Sequence, residues 1–90
     1  MELVKKFKIG NESGLHARTA AKLVELGNQY KSKLFLKKDS QEVDGSNILS
    51  ILTLSCPKES EIWARIVGED SGSFMEELSE LFEQKFGEGK

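Results

Sequence analysis

The chain has 90 residues, of which 38% are hydrophobic and 31% are charged, and its formal net charge is −2. This length predicts a single domain over residues 1–90, with a modest core and too little material for a deep active-site cavity. The slight excess of acidic residues argues against sequence-independent nucleic-acid binding, and no stretch reaches the roughly 18 apolar residues of a membrane helix.

The first half of the chain is predicted to form a strand, a helix and two further strands. Apolar and polar residues alternate in the strand segments, whereas alanines, Leu23 and Val24 recur at helical spacing between them. A glycine-bearing loop, Gly10–Gly14, precedes the helix, and the helix is expected to end at Gly27. The predicted bounds are 3–9 for the first strand, 17–27 for the helix, and 32–38 and 41–44 for the next strands.

The second half is predicted to form a short helix over 48–54, a strand over 61–67 and a longer terminal helix. Asn47 is expected to cap the short helix. Ser73 and Glu76 have the spacing of a capping box, which predicts the start of the last helix. The tail from Gly87 to Lys90 is expected to be loose.

The element order βαββαβα predicts an α+β open-faced sandwich. A four-stranded antiparallel sheet would carry three helices on one face, while its other face meets solvent. Phe35 and Trp63 fall on the solvent face, where lysine stems are expected to cover them in part.

The single cysteine, Cys56, excludes an internal disulfide and fits a reducing compartment. The N-terminus has no apolar run long enough for a secretion signal, so we expect a cytoplasmic protein. With no second thiol near it, Cys56 is predicted to be a small packing residue rather than a nucleophile.

The segment from Ser13 to Ala21 contains the most informative pattern for function. His16, the only histidine, follows the glycine-bearing loop and directly precedes a helix. The first amides of a helix have no partners within it and, with the helix dipole, favour a bound anion. A phosphoryl group on the His16 ring would lie near the amides of Ala17 and Arg18, where the Arg18 guanidinium could bind its oxygens. The neutral imidazole is a nucleophile at about pH 7.

The motif Gly14-Leu15-His16-Ala17-Arg18 resembles the phosphorylation-site signature of the HPr family. Members of this family are the histidine-containing phosphocarriers of the bacterial phosphoenolpyruvate-dependent phosphotransferase system. The similarity extends without gaps over nearly the whole chain, and it includes the length, the element order, residues 43–54 and the terminal helix. It implies an HPr-like open-faced sandwich.

The resemblance also implies a function and a set of site residues. His16 would accept a phosphoryl group on Nδ1 from enzyme I and pass it to an enzyme IIA component, with Arg18 and the amides of Ala17 and Arg18 holding it. The protein would be a carrier that needs no metal or cofactor, rather than a free-standing enzyme. Because one face would have to meet two partners in turn, we expect a monomer. Its docking surface for partners would comprise Ala20, Val24, Leu49 and Leu52.

Two positions depart from the family pattern. Thr19 stands where the family usually has proline, which adds a backbone donor and a hydroxyl at the helix start. The sequence leaves open whether this change loosens the helix or improves phosphate binding. Asn47 stands where many Gram-positive members have a serine that a kinase phosphorylates, with Ser46 one residue earlier. We therefore expect this kinase switch to be absent.

Three other interpretations compete with a sugar-pathway carrier. The Ser46-Asn47 pair is similar to the nitrogen-related branch of the phosphotransferase system, which suggests a regulatory phosphorelay carrier. A small binding module, in which His16 is structural, is a different class. A free-standing enzyme has no support, because the sequence shows no P-loop, no metal-ligand cluster and no second acid or base beside His16.

Overall fold

The structure is a computed structural model that describes residues 1–88. Its elements are β1 (Glu2–Lys8), α1 (Ala17–Gly27), β2 (Lys33–Lys38), β3 (Gln41–Asp44), α2 (Ile48–Leu52), β4 (Glu61–Val67), α3 (Ser71–Glu83) and a short 3₁₀ turn (Lys85–Gly87). The four strands form one antiparallel sheet in the spatial order β1-β4-β2-β3. The predicted fold class and element order are confirmed, and no helix within residues 1–88 is long and apolar enough to cross a membrane.

The alternation of residue types explains which face of the sheet the helices cover. In β4, one of the two inner strands, Ile62, Ala64 and Ile66 are fully buried, whereas Trp63 points to the opposite face. Leu34 of β2 pairs with Ile66, so the apolar positions of neighbouring strands coincide. These side chains and the helices above them form the core.

The solvent face of the sheet carries the two predicted aromatic side chains. The guanidinium of Arg65 lies 4.3 Å from the ring centroid of Phe35, and Glu42 holds that guanidinium in place at 2.9 Å. The ammonium of Lys6 lies 5.7 Å from the ring of Trp63, which stays 46% exposed. A lysine therefore lies near Trp63, as predicted, whereas an arginine rather than a lysine covers Phe35.

The start of α3 differs from the prediction. The helix begins at Ser71, two residues before Ser73, with Asp70 at the N-cap position. The Asp70 carboxylate accepts from the amides of Lys31 at 2.9 Å and Ser32 at 2.8 Å, in the connection between α1 and β2. This tertiary contact fixes where the helix starts, so the local capping-box spacing was a wrong indicator.

The loop before α1 packs directly against the backbone of the segment that follows α2. Cys56 is 3% exposed, and burial raises the pKa of its thiol, so its predicted role as a packing residue is confirmed. The amide of Leu15 donates to the Cys56 carbonyl at 2.8 Å. Gly14 has a φ of +67°, and a Cβ there would lie 2.3 Å from the same carbonyl oxygen. Glycine is therefore required at this position to place His16 at the helix start.

The chain after α3 turns back sharply instead of trailing away. Residues Lys85–Gly87 have φ values of 52°, 57° and 75°. Phe86 anchors the turn, since it is only 1% exposed and its ring meets that of Phe82 edge-on at 5.0 Å. The prediction of a loose tail is wrong for Gly87 and Glu88, and residues 89–90 lie outside the described residues.

Candidate functional site at the start of the first helix

His16 is the N-cap residue of α1. Its backbone is extended, with φ −129° and ψ −175°, and its Nδ1 atom accepts a hydrogen bond from the Arg18 amide at 3.1 Å. Its carbonyl accepts from the amide of Ala20 at 2.8 Å, which starts the helix ladder. Ala17 and Arg18 are the first two helical residues, so their amides lie beside the ring. The His16 side chain is 29% exposed.

Thr19 tightens the start of the helix. Its side chain is fully buried, and its Oγ1 accepts from the backbone amide of His16 at 2.9 Å. The same hydroxyl lies 3.1 Å from the carbonyl of His16 and 3.3 Å from that of Gly14, to either of which it can donate. Threonine therefore fixes the backbone of His16 rather than loosening the helix start, and its buried hydroxyl faces the loop rather than solvent.

Glu88 places a carboxylate on the His16 ring and on Arg18. Its Oε2 lies 3.0 Å from His16 Nε2, 2.6 Å from Arg18 Nη2 and 3.2 Å from Arg18 Nε. Its Oε1 accepts from the side-chain amide of Asn11 at 2.8 Å. Hydrogen bonds from Arg18, then Asn11, and then His16 hold the pKa of Glu88 at about 2.

Neither Glu88 nor Asn11 was identified from the sequence. Asn11 belongs to a segment that has the composition of a loop, and Glu88 to a tail in which glycine and charged residues predominate. The one usable signal was Phe86, an aromatic residue in this otherwise polar tail. Because an aromatic side chain tends to be buried, Phe86 indicated that the residues after it would be held against the core.

The assembled site has the chemistry needed to hold and transfer an anionic group. It combines a ring nitrogen that accepts a hydrogen bond, the amides at a helix N-terminus, and an arginine side chain that is 68% exposed. Within residues 1–88, His, Cys, Asp and Glu side chains do not gather in the number that a metal site needs.

The residues predicted to dock partners lie on α1 and α2. Leu49 is 75% exposed, and Val24 and Leu52 are partly buried against the core. Ala20 is fully buried, because its helix position points toward the sheet. A side chain without exposed surface cannot contact a partner, so the docking prediction is wrong for Ala20.

Comparisons with known proteins agree on one family. The family described as "PTS HPr component phosphorylation site" matches residues 3–84. A relative named phosphocarrier protein HPr, from Xylella fastidiosa, is 39% identical over 80 residues, which cover 89% of this chain and 90% of the relative.

Solved structures show the same relationship. HPr-C-His from Thermoanaerobacter tengcongensis superimposes with a TM-score of 0.91 at 30% identity, covering 96% of this chain and 97% of that one. An HPr dimer from the same organism gives 0.76 at 32% identity, covering 91% and 94%. The chain therefore belongs to the HPr family of phosphocarrier proteins, as its motif predicts.

Proposed function

We propose that the protein accepts a phosphoryl group from phospho-enzyme I on Nδ1 of His16 and passes it to an enzyme IIA component. This places it in the phosphoenolpyruvate-dependent sugar phosphotransferase system, as a cytoplasmic carrier rather than a free-standing enzyme. The observation that carries the proposal is the position of Nδ1, which lies at the start of α1 and 3.1 Å from the Arg18 amide. Membership of the HPr family supports it.

The transfer is a displacement at phosphorus. The lone pair of His16 Nδ1 forms the new P–N bond, while the bond to the donor's ring nitrogen breaks and returns its electron pair to that ring. The amides of Ala17 and Arg18 and the Arg18 guanidinium bind the phosphoryl oxygens, which places the stabilising charge where the group arrives. The same groups hold the phosphoryl group until an acceptor histidine attacks it in turn.

Partner docking is proposed to involve Val24, Leu49 and Leu52. Leu49 is the most exposed of these side chains, at 75%, and it lies on the helix that packs beside α1. Because the donor and the acceptor would use the same face, we propose that the carrier works as a monomer. Sedimentation at the concentrations used for transfer would test this against the dimer known for a similar protein.

The start of α2 is proposed to lack the serine switch of Gram-positive relatives. Asn47 occupies the usual serine position and caps the helix by accepting from the Ser50 amide at 3.1 Å. The Ser46 hydroxyl donates to the Asp44 carboxylate at 2.7 Å, so a phosphate there would meet a negative charge. Incubation with ATP and an HPr kinase will leave Ser46 unmodified, and incorporation of phosphate at Ser46 would contradict this proposal.

The same Ser46-Asn47 pair favours a second candidate, a regulatory or nitrogen-branch carrier. This candidate keeps the chemistry at His16 and changes only the acceptor. Mixing the phosphorylated protein with enzyme IIA proteins of the sugar and nitrogen branches separates the two, because the true acceptor will take the phosphoryl group faster.

A transfer assay tests the proposed function directly. The protein is mixed with phosphoenolpyruvate and a bacterial enzyme I, and its intact mass is read before and after mild acid. We expect a gain of one phosphoryl group that acid removes and that His16→Ala abolishes completely. No gain with several enzyme I homologues would overturn the proposal and favour a binding module in which His16 is structural.

A further inference from the structure

Glu88 reaches the reactive histidine from the far end of the sequence, and its contact gives it a specific task. We propose that Glu88 is a positioning residue that accepts the Nε2 proton of His16 and fixes the tautomer in which Nδ1 carries the lone pair. The consequence for transfer rests on the proposed function, whereas the tautomer does not.

The two ring nitrogens of His16 face groups of opposite kind. Nδ1 faces the backbone N–H of Arg18 at 3.1 Å, and an amide nitrogen can only donate. Nε2 faces the carboxylate of Glu88 at 3.0 Å, and an ionised carboxylate can only accept. A neutral imidazole carries one proton, so a single tautomer satisfies both neighbours: the proton is on Nε2 and the lone pair is on Nδ1.

The carboxylate is fixed to the loop that carries the histidine. Asn11 is fully buried and donates from Nδ2 both to Oε1 of Glu88 and to the carbonyl of Gly14, each at 2.8 Å. The chain before Glu88 is equally constrained, since Phe86 is buried and its carbonyl accepts from the Lys22 ammonium. Only 12% of the Glu88 side chain is exposed. The hydrogen bond from Asn11 and the buried Phe86 in the preceding chain therefore both hold this carboxylate against the ring.

The contact is compatible with phosphorylation because it lies on the other nitrogen. When Nδ1 forms the P–N bond, the ring keeps its proton on Nε2 and gains a positive charge, which the Glu88 carboxylate compensates at 3.0 Å. Arg18 contacts the carboxylate through Nε and Nη2, and a guanidinium has further N–H donors for phosphoryl oxygens. Arg18 can thus bridge the two anions while Glu88 keeps its place.

The test compares Glu88→Gln with the matched control Glu83→Gln, an exposed residue at the end of α3. Nitrogen-15 chemical shifts of the His16 ring in the unphosphorylated proteins give the ratio of the two tautomers. We expect the Nε2-protonated form to predominate in the wild type and in the control. In Glu88→Gln the ratio will fall about tenfold, since a neutral amide is a weaker and less selective partner than a carboxylate.

Rapid-quench kinetics with phospho-enzyme I measure the consequence for transfer. Glu88→Gln will accept the phosphoryl group about tenfold more slowly than the control, and Glu88→Asp, which keeps the charge, will recover part of the rate. A wild-type ring protonated on Nδ1, or an unchanged ratio in Glu88→Gln, would overturn the proposal. Faster transfer in Glu88→Gln would also overturn it, because Glu88 would then be an anion that blocks the site.

The two measurements separate this inference from the proposed function. If the wild type takes no phosphoryl group from enzyme I, the proposed function fails, and the tautomer ratio alone still decides whether Glu88 positions the ring. If transfer occurs but the ratio does not change, the proposed function stands and Glu88 has no positioning role.

Discussion

The helices α1 and α2 both begin with a side chain that caps the helix, but the charges around the two caps differ. Nδ1 of His16 accepts from the amide of Arg18, and Oδ1 of Asn47 accepts from the amide of Ser50, each at 3.1 Å. Beside His16 lie the cationic side chain of Arg18 and the carboxylate of Glu88, which are ion-paired at 2.6 Å. Beside Asn47 lies the carboxylate of Asp44, which binds the preceding residue.

This comparison shows that a helix N-terminus alone does not make an anion site. The helix after His16 has 11 residues and the one after Asn47 has five, so the longer helix has the larger dipole and is the more rigid support for a site. At α1 the Arg18 guanidinium binds Glu88 through Nε and Nη2 and keeps further N–H donors for an anion, whereas at α2 the Asp44 carboxylate beside the cap repels one. Substitutions at each helix start can test this difference.

The largest effect is expected from removing the cation beside His16. Arg18→Ala will slow phosphoryl transfer by about 10²-fold without abolishing it, because the nucleophile and the helix amides remain. The matched control is Arg65→Ala, which removes an ion-paired arginine on the outer face of the sheet. Rapid-quench kinetics with phospho-enzyme I provide the measurement, and a wild-type rate for Arg18→Ala would rule out the role of its guanidinium.

A smaller effect is expected from the buried hydroxyl at α1. Thr19→Val keeps the volume but leaves the amide of His16 without its acceptor at 2.9 Å, so the free energy of unfolding will fall by about 1–2 kcal/mol. Urea titration followed by circular dichroism measures this change, and Thr53→Val, at the exposed C-cap of α2, serves as the control. Equal stability of wild type and Thr19→Val would contradict the tightening described for this helix start.

The cap of α2 is expected to matter for stability and not for transfer. Asn47→Ala removes the acceptor of the Ser50 amide and will lower the free energy of unfolding by about 1 kcal/mol, whereas Asn47→Asp will preserve the cap. Both variants will accept a phosphoryl group at the wild-type rate. A transfer defect in Asn47→Ala that Asn47→Asp restores would show that this helix start takes part in the chemistry.

The smallest effect is expected from protonation of Glu88 in acid, which breaks its contact with Arg18. The folded-state pKa of Glu88 is about 2 against an ordinary value of 4.5, so its contact with Arg18 contributes fully above about pH 4.5 and is lost as the pH falls through about 2. Chemical shifts of the Glu88 carboxyl group and the Arg18 side chain, followed from pH 6 downward, report this release. Arg18→Ala will raise the midpoint, because Arg18 is the largest cause of the shift. A midpoint at the ordinary value in the wild type would mean that the carboxylate is not docked.

Much of the fold follows from local patterns in the sequence. The bounds of α1, β3 and β4 agree with the prediction, because alternation or helical spacing ends there at glycines and turn residues. The start of α3 does not, because the Asp70 carboxylate binds amides 38 and 39 residues earlier in the chain. Local spacing contains no information about that contact.

In the candidate site, too, the residues that are close in sequence could be predicted, whereas the distant ones could not. His16 and Arg18 stand out within one short motif, because the ring, the guanidinium and the helix start are adjacent in sequence. Glu88 is 72 residues from His16, and only the burial of Phe86 brings it there. The resemblance to the HPr family places Ala20 on the docking surface, but a matching position in an alignment contains no information on how far the side chain is covered in this chain.

The position of the single tryptophan has a consequence for optical measurements. Trp63 lies on the sheet face away from the helices, with the ammonium of Lys6 at 5.7 Å from its ring, whereas His16 begins a helix on the opposite face. Its emission will therefore follow the unfolding of the sheet and remain unchanged when the imidazole is modified. A tryptophan introduced by Phe86→Trp, two residues before Glu88, would instead respond to changes in the segment that holds Glu88 against the imidazole. The two tryptophans would report two separate events in the same protein, the unfolding of the sheet and the release of Glu88 from His16.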